Sequence, residues 1–212
     1  MKKIVLSLAL IAGIVTAISA QTRFGINAGA VLGNLNIKES GQEQESDSKI
    51  GLTAGIRADV PLSENFRFRP GLNFVQKGAK DKIDVLGTEI KTTYTLNYLE
   101  LPLNFVYNAD AGKGKFFVGA GPVFGFGLSG KFKYESGGDE QSEDINFGDG
   151  EDEVKSFEFA GNVLAGYECA SGLYFQANYN PGFSNLSNST DSELKTTYFG
   201  LQIGYFFGAD KK

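Results

Sequence analysis

Few residues in this chain are equipped for chemistry, and the gaps in the repertoire narrow its function first. None of the 212 residues is His. That removes imidazole as general base, as metal ligand and as the activating partner of a nucleophilic Ser or Cys. Cys169 is the sole Cys. With no imidazole to activate its thiol and no second Cys for an internal disulfide, it reads as a tolerated small residue in a turn. Carboxylates are abundant, with 25 Asp plus Glu. No spacing, however, holds two of them at the separation that glycosidic acid–base work requires. The residues imply no catalytic site and no cofactor, and a chain that is not an enzyme.

Two groups of charges remain. Arg57, Asp59, Arg67, Arg69, Lys77, Glu100, Glu158 and Glu168 all fall on one face of the alternating segments described next. If that face lines the inside of a barrel, these charges must pair or stay hydrated. Arg67 or Arg69 is then positioned to meet Glu100, and Arg57 a neighbouring acid, giving a salt-bridge plug. A small ligand in the lumen is the alternative use of the same groups. The second group lies between Glu135 and Glu153, where nine acids occur without one basic residue. A solvated, self-repelling loop is the simplest reading. Oxygen ligands at this density also suit weak divalent-cation binding by residues 135–153, although Asp149 to Glu153 lacks the spacing of an EF-hand loop.

Stepping outward from the charges, period-2 alternation runs through the chain from residue 24 onward, and no helical period competes with it. Near the C-terminus Thr197, Phe199, Leu201, Ile203, Tyr205 and Phe207 share one face, opposite Tyr198, Gly200, Gln202, Gly204 and Phe206. Equivalent segments begin near Phe24, Ile50, Phe66, Leu99, Phe116, Phe157 and Leu173, which makes eight candidate strands. One face is apolar throughout. The other is Gly, Asn, Gln, Tyr and Ala with the charges above. The connections alternate as well. Long polar ones are expected near 38–49, 78–93, 129–155 and 184–195, and short ones near 61–65, 108–114 and 169–172. That alternation matches an eight-stranded antiparallel up-and-down transmembrane β-barrel, an all-β fold whose short turns and termini share one end. A soluble barrel of the lipocalin kind is the rival, but its outer face would carry more charge and less Gly. Pro102 and Pro122 fall inside strands, where each forfeits a ladder hydrogen bond. A bulge or a shifted strand end is expected there.

The first 20 residues stand apart. Lys2 and Lys3 precede an apolar run from Ile4 to about Ile14, and Ala17-Ile18-Ser19-Ala20 offers small residues for a signal peptidase. Residues 1–20 read as a signal peptide and 21–212 as the barrel domain. Gln21 in place of Cys argues against a lipid anchor. Removing Lys2 and Lys3 from the 20 basic residues leaves 18 against 25 acids, and no basic stripe suited to nucleic acid. Phe66, Tyr107, Phe116, Tyr167, Tyr179, Tyr205 and Phe207 lie near strand ends, where aromatic girdles meet the membrane interface.

Two segments carry a family resemblance. Residues 98–105, YLELPLNF, resemble the corresponding strand of the PorT-like outer-membrane β-barrel family, a small barrel of OmpA/OmpX type. Residues 117–124, FVGAGPVF, resemble the strand that follows it. Both prolines occupy matching positions, and the resemblance extends over residues 21–207. It implies architecture rather than activity, since the namesake serves a protein-secretion system through no residue identifiable here. Gln202 to Phe207 resembles a terminal strand recognised by barrel-assembly machinery, with residues 208–212 as a frayed tail. The expected product is a non-enzymatic barrel in the bacterial outer membrane, structural or surface-interacting, with acidic extracellular loops. Its expected partners are outer-membrane lipid, the assembly machinery and an extracellular or secretion-system protein. A secretion accessory and a lumenal small-ligand carrier are the alternatives.

Overall fold

The computed structural model describes residues 22–39, 42–85, 88–189 and 191–208. The signal segment 1–20 and the tail beyond Gly208 lie outside the described residues. Ten strands follow one another: β1 (Arg23–Glu39), β2 (Gln42–Glu45), β3 (Asp47–Pro61), β4 (Phe66–Val85), β5 (Thr88–Ala111), β6 (Gly114–Ser136), β7 (Asp139–Ile145), β8 (Phe157–Glu168), β9 (Leu173–Pro181) and β10 (Ser192–Phe207). No described residue is helical.

Eight of the strands close a ring in the order β1-β3-β4-β5-β6-β8-β9-β10, each antiparallel to its neighbours. The closing seam is a continuous ladder from Phe24↔Phe207 to Glu39↔Ser192. Closure removes every sheet edge within the ring, which is what a spanning β-structure needs in hydrocarbon. The eight expected strands and their faces are those of the ring.

Sidedness is inverted relative to a water-soluble barrel. Ile50 is 71% exposed and Phe24 66%, and Leu52, Ile56, Val163 and Leu201 likewise point outward. Arg, Asp, Glu, Asn and Gln point inward and are buried. A continuous apolar exterior of this extent is unstable in water and suited to lipid. Edge-on aromatic pairs ring the end that holds the short turns: Phe66–Tyr107 at 5.2 Å, Phe116–Tyr167 at 5.0 Å and Tyr205–Phe207 at 5.4 Å between centroids.

The prolines are accommodated differently from the expectation. The β4–β5 ladder omits rungs between Pro70↔Leu103 and Asn73↔Glu100, and the β5–β6 ladder omits them between Pro102↔Val123 and Phe105↔Ala120. Register is unchanged across both gaps. Missing N–H groups simply leave rungs unmade. The irregularities of register lie elsewhere, between Ser48 and Thr53 and at Asn97/Tyr98.

The connections expected as long loops at 78–93 and 129–155 are largely strand. β4, β5 and β6 run for 20, 24 and 23 residues, although about 9–11 suffice to cross a bilayer. β7 folds back on β6 from Ser136↔Asp139 to Gly130↔Ile145. A four-stranded ribbon, β4-β5-β6-β7, thus projects at the end opposite the termini. Its strands are polar, but Thr88–Thr95 and Lys131–Tyr134 are rich in Thr, Ile, Phe and Tyr, which suit strands without a membrane. Tyr94 packs on Phe132 at 4.9 Å, and Lys133 reaches Glu140 at 2.6 Å.

Candidate functional site: a layered polar plug

The inward faces of the ring strands fill the barrel in three tiers. Nearest the short turns, Arg23 from β1, Asp59 from β3, Arg67 and Arg69 from β4 and Glu168 from β8 form one cluster. Arg23 contacts Asp59 at 2.6 Å and Glu168 at 2.5 Å. Arg69 contacts the same two acids at 2.5 and 3.2 Å, and Arg67 reaches Asp59 at 3.2 Å. Asp59 is wholly buried. The guanidiniums of Arg23 and Arg69 also lie 4.8 and 5.1 Å from the Phe206 ring centre. An apolar group of Val106, Phe117, Leu164, Tyr174 and Phe206 surrounds them. Low polarity around the pairs strengthens their attraction and makes loss of either partner costly.

The middle tier is an amide belt. Asn27 donates to Asn73 and to Gln202 at 3.2 Å each, Gln202 to Asn178 at 3.2 Å, Asn178 to Asn162 at 3.2 Å and Asn162 to Asn104 at 2.9 Å. These six residues come from six strands. The belt steps over β3 and β6, where Gly55 and Gly121 stand. A Cβ on Gly55 would sit 2.0 Å from the Asn73 side-chain oxygen, and one on Gly121 2.0 Å from the Leu103 carbonyl. Glycine leaves room for the amides to join across those strands. Arg57 anchors the belt, donating to Asn27 at 3.2 Å, Gln176 at 2.8 Å and Gln202 at 2.9 Å.

The third tier lies toward the projecting ribbon. Lys77 sits between Glu158 at 2.6 Å and Glu100 at 2.7 Å. Thr196 donates to Glu158, and the Tyr198 hydroxyl donates to Glu100 at 2.8 Å. The ammonium lies 4.5 Å from the Tyr98 ring centre. Above it, Leu35, Ala79, Leu96 and Tyr98 pack with Ile37, Ile145, Phe147 and Leu194. Phe147, from the β7–β8 connection, meets Tyr98 edge-on at 5.5 Å. The barrel mouth is therefore capped by its own loop side chains.

Arg57, Asp59, Arg67, Arg69, Lys77, Glu100, Glu158 and Glu168 are all buried in the lumen, but two of the expected pairings do not form. Glu100 is met by Lys77, not by Arg67 or Arg69, because Arg69 stands opposite Asn104 and Glu100 opposite Asn73. Four residues of strand separate the two positions, about 13 Å. Arg57 meets amide oxygens rather than an acid, since Asp59 is already taken by three arginines. Arg23, the amide belt and the aromatic cap were not singled out from sequence. The belt residues were visible as an Asn- and Gln-rich inner face.

The acidic segment is also more ordered than a self-repelling loop. Asp139 to Ile145 are strand, and Asn188 donates to the carbonyls of Gly148, Gly150 and Glu153 at 3.0, 2.8 and 3.0 Å. Spreading its carboxylates along a ribbon edge and a tied turn relieves their repulsion. Among the described residues, no three Asp, Glu or Cys are grouped to hold a metal ion. Cys169 is a partly exposed free thiol in the β8–β9 turn.

Residues 17–188 match the family model described as outer membrane protein beta-barrel domain. No curated protein sequence matches the chain. Among solved structures it is similar to Neisserial surface protein A, with 14% identity and a TM-score of 0.42 over 86% of this chain and 96% of that one. It is similar to Ail, the attachment invasion locus protein of Yersinia pestis, with 14% identity and a TM-score of 0.38 over 87% and 99% of the two chains. OprG of Pseudomonas aeruginosa gives 13% identity and a TM-score of 0.39 over 88% and 96%. The family match covers most of the chain and agrees with the closed, lipid-facing ring. The chain belongs to the outer membrane protein beta-barrel domain family.

Proposed function

We propose that this protein is a non-enzymatic, solute-tight barrel of the PorT-like kind, which anchors an acidic β-ribbon outside the outer membrane as an interaction surface. In this reading residues 1–20 direct export, and the short turns face the periplasm. The observation that carries it is the pairing of a packed lumen with a long ribbon. Three tiers of side chains fill the lumen, and the cavity beside Arg57 and Arg69 has a volume of only about 20 Å³, whereas β4 to β7 continue well past bilayer thickness. A lumenal carrier needs the reverse, an open lumen and no reason to extend the strands. The acids of β7, Asp139, Glu140, Glu143 and Asp144, are exposed and suit a basic partner surface.

The test has two parts on intact cells. An epitope inserted at the Gly137–Gly138 turn is expected to bind antibody without permeabilisation. Replacing residues 132–144 by a short turn is expected to leave heat-modifiable, membrane-inserted barrel while abolishing cell attachment to basic protein surfaces. An epitope reached only after permeabilisation, or attachment unchanged by the deletion, would refute the proposal. The strands at 98–105 and 117–124 favour a second reading, a secretion accessory, for which loss of the gene must block export of specific cargo.

A further inference from the structure

The lipid-facing wall is not evenly filled. Ala58 on β3 and Pro70 on β4 are small residues among large outward side chains. Register sets the two opposite each other, between the pairs Arg57↔Gly71 and Val60↔Phe68, and the β3–β4 ladder omits its rungs there. Pro70 has no N–H to offer one. The result is a depression of about 390 Å³ in the outside of the barrel. Phe24, Ile26, Ile56, Leu72 and Phe207 form its sides, and all five are exposed. Ala58, Pro70, Gly25 and Gly71 form its floor. Arg57 is the one polar residue on its border, and its guanidinium is turned to the lumen, where it bonds Asn27, Gln176 and Gln202.

Position and size select what fills it. The depression is continuous with the apolar, lipid-facing surface around it, so its occupant comes from hydrocarbon. Its volume falls in the range of roughly 300–1,000 Å³ typical of small-molecule sites. Lipid tails are as apolar as the wall, so packing rather than transfer from water decides the affinity. On a flat stretch of wall a tail touches protein along one side. In the depression it touches the floor and both sides, and gains dispersion contacts that an unfilled space forfeits. A second copy packed about a two-fold axis through the depression would set hollow against hollow and fill neither.

We propose that the depression binds one acyl chain of a membrane phospholipid, held more firmly than the tails around the rest of the barrel. Arg57 and Gly71 also line the small polar cavity on the lumen side, so the wall here is one backbone thick. The bound tail closes its outer surface. The site is independent of what the ribbon binds outside.

The test uses the mature barrel refolded into phosphatidylcholine vesicles that contain a phosphatidylcholine with a photoactivatable diazirine on its tail. After illumination the labelled positions are mapped by mass spectrometry. Wild type is expected to be labelled at residues 56–58 and 70–72 several-fold more than at Val118 and Val163, which are exposed on the lipid face elsewhere. Ala58→Phe fills the floor and is expected to bring that labelling down to the level of the rest of the wall. Ala165→Phe, the same change on the exposed face of β8, is expected to leave it. Heat-modifiable migration checks that each variant has inserted, and should Ala58→Phe fail to insert, the wild-type map decides. Even labelling around the wall in wild type, or enrichment that survives Ala58→Phe, overturns the proposal. So does labelling at the depression below that of the rest of the wall, which assigns it to a protein neighbour.

Discussion

Replacing Lys77 by Met probes the plug where its geometry makes the largest demand. Lys77 holds Glu158 and Glu100 at 2.6 and 2.7 Å, so the two carboxylate oxygens it bridges lie no more than about 5 Å apart. Without the ammonium they face one another as like charges. At an effective dielectric of about 20, two unit charges at about 5 Å repel by about 3 kcal/mol. That agrees with the roughly 3–5 kcal/mol observed when one partner of a buried ion pair is removed. The substitution is nearly isosteric, so cavity formation adds little. Lys77→Met is therefore expected to lose about 3–5 kcal/mol, measured by urea unfolding in detergent with tyrosine fluorescence and heat-modifiable migration as probes. The triple variant Lys77→Met, Glu100→Gln, Glu158→Gln removes the repulsion and is expected to recover most of that loss, a non-additivity diagnostic of direct coupling. The reasoning fails if Lys77→Met lies within about 0.5 kcal/mol of wild type, or if the triple variant is less stable than the single one.

Three further outcomes follow from the fold. Gly55→Ala places a methyl group 2.0 Å from the Asn73 side-chain oxygen and 2.4 Å from the Leu72 carbonyl. It is expected to cost about 1–3 kcal/mol by overpacking. Val163→Arg on the lipid face, where Val163 is 59% exposed, is expected to cost about 2–4 kcal/mol in vesicles, and Tyr134→Arg on the ribbon almost nothing. Asn188→Ala severs three bonds to the 148–153 turn. Limited proteolysis of intact cells is expected to cut there faster, with the barrel's unfolding temperature little changed.

How much of this was legible beforehand depends on which physical signal each part carries. The ring strands announce themselves because lipid outside and polar groups inside impose a strict period of two on Phe24 to Leu32 or Thr197 to Phe207. The ribbon did not, because apolarity stops at the bilayer surface while backbone pairing continues through Thr88–Thr95 and Lys131–Tyr134. Facing was readable for Arg57, Asp59, Glu100 and Glu168, but height along the barrel was not. Register decides height, and it moved Glu100 from the arginines to Lys77. Arg23 escaped notice because it precedes the first apolar residue of its strand. Phe147, partly buried over the mouth, and Leu186, fully buried, lie in connections with no period to reveal them. The prolines looked like defects because sequence shows the lost donor but not that a ladder can omit a rung and keep its register.

The claim on which the rest stands is that the lumen is packed shut. Single-channel recording of the purified barrel in planar bilayers tests it most directly. A baseline without discrete steps, at potentials that leave the membrane intact, is the expected result. Stable, reproducible conductance steps from the wild-type protein would contradict the plug, and with it the reading of the barrel as an anchor.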